Sequence, residues 1–62
     1  MELTVREKEV LDLISKGYSN KQIGDKLFIS ISTVKAHTSS ILHKTKLKNR
    51  VQATGFYYKN II

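Results

Sequence analysis

The chain has 62 residues, no cysteine or proline, and a net charge of +6. At this length it makes one domain, over 1–62, that buries only about 60% of the surface its unfolded form exposes, so its stability is expected to be marginal. The composition excludes disulfides and thiolate metal sites, no apolar run reaches the roughly 18 residues of a membrane span, and the opening Met-Glu-Leu-Thr has neither the basic region nor the apolar core of a signal peptide.

Thr4, with Glu7 three residues on and Leu3 just before, writes a capping box and starts a helix expected over 5–16. Val10, Leu11 and Ile14 recur at helical spacing and give it an apolar stripe. Gly17 stands where a left-handed residue stops a helix.

Ser19 and Gln22 repeat the capping box and begin a helix expected over 20–27, and Ser30 opens another only eleven residues after Ser19. Ile23 and Leu27 share a face of the shorter helix, with Phe28 and Ile29 as apolar residues at the corner where the two helices cross. Helix starts this close together write a helix-turn-helix.

The third helix is expected over 31–46. At 100° per residue, Thr38, Ile41, Leu42 and Thr45 fall within about 80° of Val34 and form the inward side. Ser32, Lys35, Ala36, Ser39, Ser40, His43 and Lys46 fall on the other side, which is small and polar along its first turns and basic at both ends. Small residues let a helix approach another surface closely, and the major groove of DNA admits one α-helix. The plain alternative is a solvated face.

Asn49 and Gln52 repeat the cap signature and start a last helix expected over 50–60. Its apolar residues lie on two sides: Val51, Thr54, Tyr58 and Ile61 or Ile62 form one stripe, and Ala53, Phe56 and Tyr57 the other. A helix that covers only its own core needs one stripe. Homodimerisation through Val51, Thr54, Gly55 and Tyr58 is therefore expected, against the alternative that the small domain buries both sides. The fold class is all-α, a compact four-helix bundle containing a helix-turn-helix.

The charge is polarised along the chain. Residues 1–30 hold five basic and five acidic residues, whereas 31–62 hold Lys35, Lys44, Lys46, Lys48, Arg50 and Lys59 with no acid. Such a half suits a polyanion, nucleic acid first and an anionic membrane surface second. His37 and His43 diverge by about 120° on one helix and have no neighbouring carboxylate or thiolate, so no metal site or cofactor is expected. No serine is paired in sequence with a base and an orienting acid, and catalysis is not expected.

Leu3-Thr4-x-Arg6-Glu7-x-Glu9-Val10-Leu11, Gly17-Tyr18-Ser19-Asn20-Lys21-Gln22-Ile23, Leu27-x-Ile29-Ser30-x-x-Thr33-Val34-Lys35-x-His37, Ile41-x-x-Lys44 and Asn49-Arg50-x-x-Ala53 together resemble the LuxR/GerE-type DNA-binding domain over nearly the whole chain. The resemblance implies a four-helix domain whose third helix enters the major groove and whose fourth forms a two-fold dimer contact. It also implies sequence-specific binding of double-stranded DNA in bacterial transcription regulation, in the cytoplasm, most often as the C-terminal output domain of a response regulator or a quorum-sensing regulator. RNA polymerase is a further candidate partner, and a membrane is not. Met1 directly before the first cap is compatible with a small free-standing regulator as well as with an effector domain of a longer protein.

Carried over position by position, the resemblance assigns Lys35, Ala36 and Ser39 to base contacts, with His43 at the groove rim. It assigns Ser19, Asn20, Lys21, Thr33 and Lys44 to phosphates or to the motif's turns, and Ser32 and Lys46, on the outer side of the third helix, are expected at phosphates as well. Three residues depart from the family pattern: Gly24 where alanine is usual, Thr45 where leucine is usual, and Ser39 where several members carry a longer polar side chain. Two other readings share these features: a promoter-recognition module of the sigma-factor kind, and a basic protein-interaction module.

Overall fold

The computed structural model describes residues 2–60. Four helices follow one another: α1 (Val5–Ser15), α2 (Asn20–Leu27), α3 (Ile31–Thr45) and α4 (Arg50–Asn60). The bounds agree with the expected ones except that Lys16 and Lys46 are caps rather than helical residues. Ile61 and Ile62 lie outside the described residues.

The starts form as their sequences dictate. Thr4 Oγ1 accepts from the Glu7 amide and Glu7 Oε1 accepts from the Thr4 amide, at 3.1 and 2.8 Å. Ser19 and Gln22 make the same reciprocal pair, which satisfies amides that no helical carbonyl can reach. Ser30 caps α3 through the Thr33 amide. At α4, Asn49 accepts from the Gln52 amide, but Gln52 reaches back to the Lys48 amide rather than to Asn49.

Three helices end on a left-handed residue: Gly17 at φ 86°, Phe28 at 59° and Lys46 at 60°. After α1, the Tyr18 and Gly17 amides donate to the carbonyls of Leu13 and Ile14, a Schellman turn. The same pattern after α3 joins Leu47 to Leu42 and Lys46 to His43. After α2, the amides of Phe28 and Ile29 both donate to the Gly24 carbonyl.

Val10, Leu11, Leu13, Ile14, Ile23, Val34, Ile41 and Ala53 form the core, with Leu3, Leu27, Ile29, Leu42, Phe56 and Tyr57 packed around it. Phe28 departs from its expected place at the crossing corner. Its left-handed backbone aims the ring into solvent, leaving it 93% exposed, and Ile29 alone turns inward. Thr45, expected inside, is half-buried and spends its hydroxyl on the Ile41 carbonyl. Ser40, expected on the outer side, is half-buried and donates to Glu7.

Gly24 has a structural reason. A Cβ built there would lie 2.7 Å from the Ile29 carbonyl oxygen, closer than real Cβ atoms come. The missing methyl lets the α2–α3 turn fold back onto α2, which offsets the roughly 1 kcal/mol that glycine costs inside a helix.

Candidate nucleic-acid interface

The outward side of α3 is built by its inward one. Val34 and Ile41 are fully buried, and their spacing turns Ser32, Thr33, Lys35, Ala36, Ser39 and His43 into solvent. Among the described residues, Lys35, Lys46, Lys48 and Lys59 form no ion pair with a carboxylate. The N-terminal end of α3 carries a hydroxyl cluster, with Ser30 Oγ 3.0 Å from Ser32 Oγ and 2.9 Å from Thr33 Oγ1. Lys35 on α3, with Lys46 and Lys48 past its end, thus carries positive charge to solvent without a carboxylate partner among the described residues.

At the start of α2, Ser19 is occupied as a cap, and Lys21 pairs with Asp25 at 3.0 Å with both side chains mostly exposed. An exposed pair of this kind contributes under about 1 kcal/mol, so a phosphate competes for Lys21 easily. Lys26 lies 5.8 Å over the Tyr18 ring.

Two of the residues expected at phosphates make bonds inside the domain. Lys44 turns toward α1, and its ammonium lies 2.7 Å from Glu7 Oε1. Asn20 Oδ1 accepts from Arg50 Nη1 at 2.6 Å, while Arg50 Nη2 donates to the Tyr18 carbonyl at 2.8 Å. Lys44 and Asn20 thus position elements, Lys44 fixing α3 against α1 and Asn20 fixing α4 against the α1–α2 turn. His37 is half-buried with no side-chain hydrogen bond among the described residues.

Glu7 is the central buried charge, 4% exposed. Burial pushes its carboxyl up, but Lys44, Ser40 and the Thr4 amide donate to the charged form and together hold it at about 2. Asp12 is also held below the usual carboxylate range, first by the Tyr57 hydroxyl, against the opposing effect of burial, and then by Lys16. These two acids fasten α1 to α3 and to α4. In the sequence Glu7 looked like a cap alone, and Arg50 was marked only as a basic residue of the second half and a member of the family motif. The acid-free second half already hinted that Lys44 would need a partner from the first.

Among the described residues the outer side of α4 is largely uncovered, with the Tyr58 hydroxyl donating a long bond to the Ser15 carbonyl at 3.4 Å. Val51 is 81% and Tyr58 55% exposed, Thr54 is half-buried, and a Cβ at Gly55 would meet nothing within 4 Å. Ala53, Phe56 and Tyr57 take the inner side. Val51 and Thr54 also wall a shallow open cleft of about 450 Å³, with Ile14, Tyr18 and Arg50 opposite. Among the described residues no three His, Cys, Asp or Glu side chains converge as metal ligands, and no helix is long and apolar enough to cross a membrane.

Comparison with known proteins identifies the family and agrees with the fold. The transcriptional regulatory protein LiaR of Bacillus subtilis is 48% identical over 58 residues, covering 94% of this chain and 28% of LiaR. The oxygen regulatory protein NreC of Staphylococcus carnosus is 46% identical over 57 residues, covering 92% of this chain and 26% of NreC. The chain thus spans about a quarter of the length of these relatives, which are regulators rather than enzymes. The crystal structure of ChrA, the response regulator of a heme-sensing two-component system, superposes with a TM-score of 0.89 at 39% identity, over 95% of this chain and 29% of that one. The family model described as bacterial regulatory proteins, luxR family, matches residues 1–57. With its helix-turn-helix intact across that match, the chain belongs to the luxR family as a DNA-binding domain of bacterial transcription regulation.

Proposed function

We propose that this domain binds double-stranded DNA sequence-specifically in the bacterial cytoplasm, as the output domain of a response regulator, with α3 in the major groove and α4 joining two copies. The observation that carries the reading is the outer side of α3: small, polar and basic side chains, all exposed, with no carboxylate among them. Lys35 donates to guanine or phosphate, the Ala36 methyl meets a thymine methyl, and Ser39 and His43 read the adjoining base edges. Ser19, Lys21, Ser32, Thr33 and Lys46 hold phosphates. At the start of α2 the helix dipole adds to the charge of Lys21.

Dimerisation rests on the uncovered stripe of Val51, Thr54, Gly55 and Tyr58. Two copies joined there read half-sites about one helical turn apart.

In-vitro selection of bound duplexes, followed by salt titration, tests the reading. A palindromic site and a steep loss of affinity with salt are expected. Lys35→Ala and Ser39→Ala shift the preferred sequence, while Lys21→Ala and Lys46→Ala weaken all duplexes alike. A uniform loss in all four variants overturns the assigned reading face. A monomer mass in sedimentation, both alone and on the selected duplex, overturns the dimer.

A further inference from the structure

Phe28 occupies a backbone conformation that glycine takes freely and phenylalanine does not. Its φ is 59°, and its ring, 93% exposed, recovers nothing from the core. Val5, Val51 and Tyr58 are exposed as well, but they sit on ordinary helical backbone. Ile31, three residues on and the first residue of α3, is a second uncovered apolar side chain, 44% exposed and outside the core packing. At 100° per residue it falls only about 60° from the buried Val34, on the inward side, yet among the described residues it takes no part in the core packing.

The surroundings indicate what does. The exposed hydroxyls of Ser30, Ser32 and Thr33 adjoin Ile31, and exposed Lys35 follows one turn later. From residue 31 onward the chain has no acid. A complementary surface is anionic with apolar points. The DNA major groove fits, since thymine 5-methyl groups and deoxyribose edges lie there between phosphates, and the N-terminal residues of a recognition helix meet base edges. Phe28 is also held rigidly, because its own amide and that of Ile29 both bond the Gly24 carbonyl.

We infer that Phe28 and Ile31 are apolar DNA contacts that the domain's own stability does not require. Ile31 packs on a thymine 5-methyl, and Phe28 on the deoxyribose beside it. This makes Ile31 a specificity determinant for thymine, beyond the polar contacts of α3. The inference rests on the DNA-binding reading above.

The test uses the 62-residue chain and a duplex selected by the wild type, with each thymine replaced in turn by deoxyuracil, which removes only the methyl. At one position the replacement is expected to weaken wild-type binding about threefold and to leave Ile31→Ala binding unchanged. Phe28→Gly is expected to raise the thermal midpoint, because it releases the left-handed strain, while lowering affinity about threefold to tenfold. A merely structural Phe28 would not move those two readouts in opposite directions. Variants that bind the selected duplex as tightly as the wild type overturn the inference while DNA binding stands, and assign the patch to a protein partner instead. A wild type that selects no duplex overturns the DNA-binding reading and this inference with it.

Discussion

The ammonium of Lys44, in the last turn of α3, lies 2.7 Å from Oε1 of Glu7 in the first turn of α1, with only 22% and 5% of the two side chains exposed. The pair joins residues 37 apart in sequence and ties the last turn of α3 to the first turn of α1. Breaking such a pair by removing one partner leaves an uncompensated charge, which costs about 3–5 kcal/mol. Glu7→Gln is therefore expected to destabilise the domain by about 3 kcal/mol in urea unfolding. The double change Glu7→Gln with Lys44→Met removes both charges and is expected to recover much of that loss. Equal stability of the single and double variants would show that the ion pair contributes little.

Acid should loosen the same joint. In the fold the Glu7 carboxyl is held at about 2 against an ordinary 4.5. A depressed carboxyl stabilises the fold fully above its unfolded value and loses that contribution as pH falls toward its folded one. Folding stability is thus expected to fall between pH 4.5 and 2, by up to about 3 kcal/mol from this group. Asp12, shifted the same way by Tyr57 and Lys16, adds to the loss. Circular dichroism across this range reads it, and Glu7→Gln should show a flatter decline.

The two helical glycines should respond oppositely to alanine. Gly24→Ala brings a Cβ against backbone rather than a pliable side chain, so the α2–α3 turn must open, with an expected net loss of about 1–3 kcal/mol. Gly55→Ala enters open space and should stabilise the monomer by about 0.5–1 kcal/mol through helix propensity. If α4 is the dimer contact, the same substitution weakens self-association, which sedimentation measures independently of thermal unfolding.

Arg50→Lys keeps the charge and loses the fork that bonds Asn20 and the Tyr18 carbonyl together. A loss of about 1–2 kcal/mol is expected, with faster amide exchange at the start of α4. Unchanged exchange there would show that the N-terminal end of α4 is held by packing alone.

The helices were legible because their signals are local. A hydroxyl and a glutamate or glutamine three residues apart fix each of the first two starts, and Val34 and Ile41 set the facing of α3 by period alone. What escaped depends on distant partners. Glu7 satisfies its cap and still has an oxygen left for Ser40, 33 residues away, which no local pattern records. Phe28 looked like a corner residue because its hydrophobicity was visible and its positive φ was not. Lys44 and Asn20 matched phosphate-facing positions by residue type, and only the packing of α1 and α4 revealed the bonds they already make.

The fork of Arg50 also has a metric consequence. By clasping the α1–α2 turn, it stops α4 from pivoting against the body that carries α3. In the proposed pair built on α4, the separation of the two reading helices would then be a fixed dimension of the single chain, as on a caliper, and spacing on the duplex would be measured before any base is read.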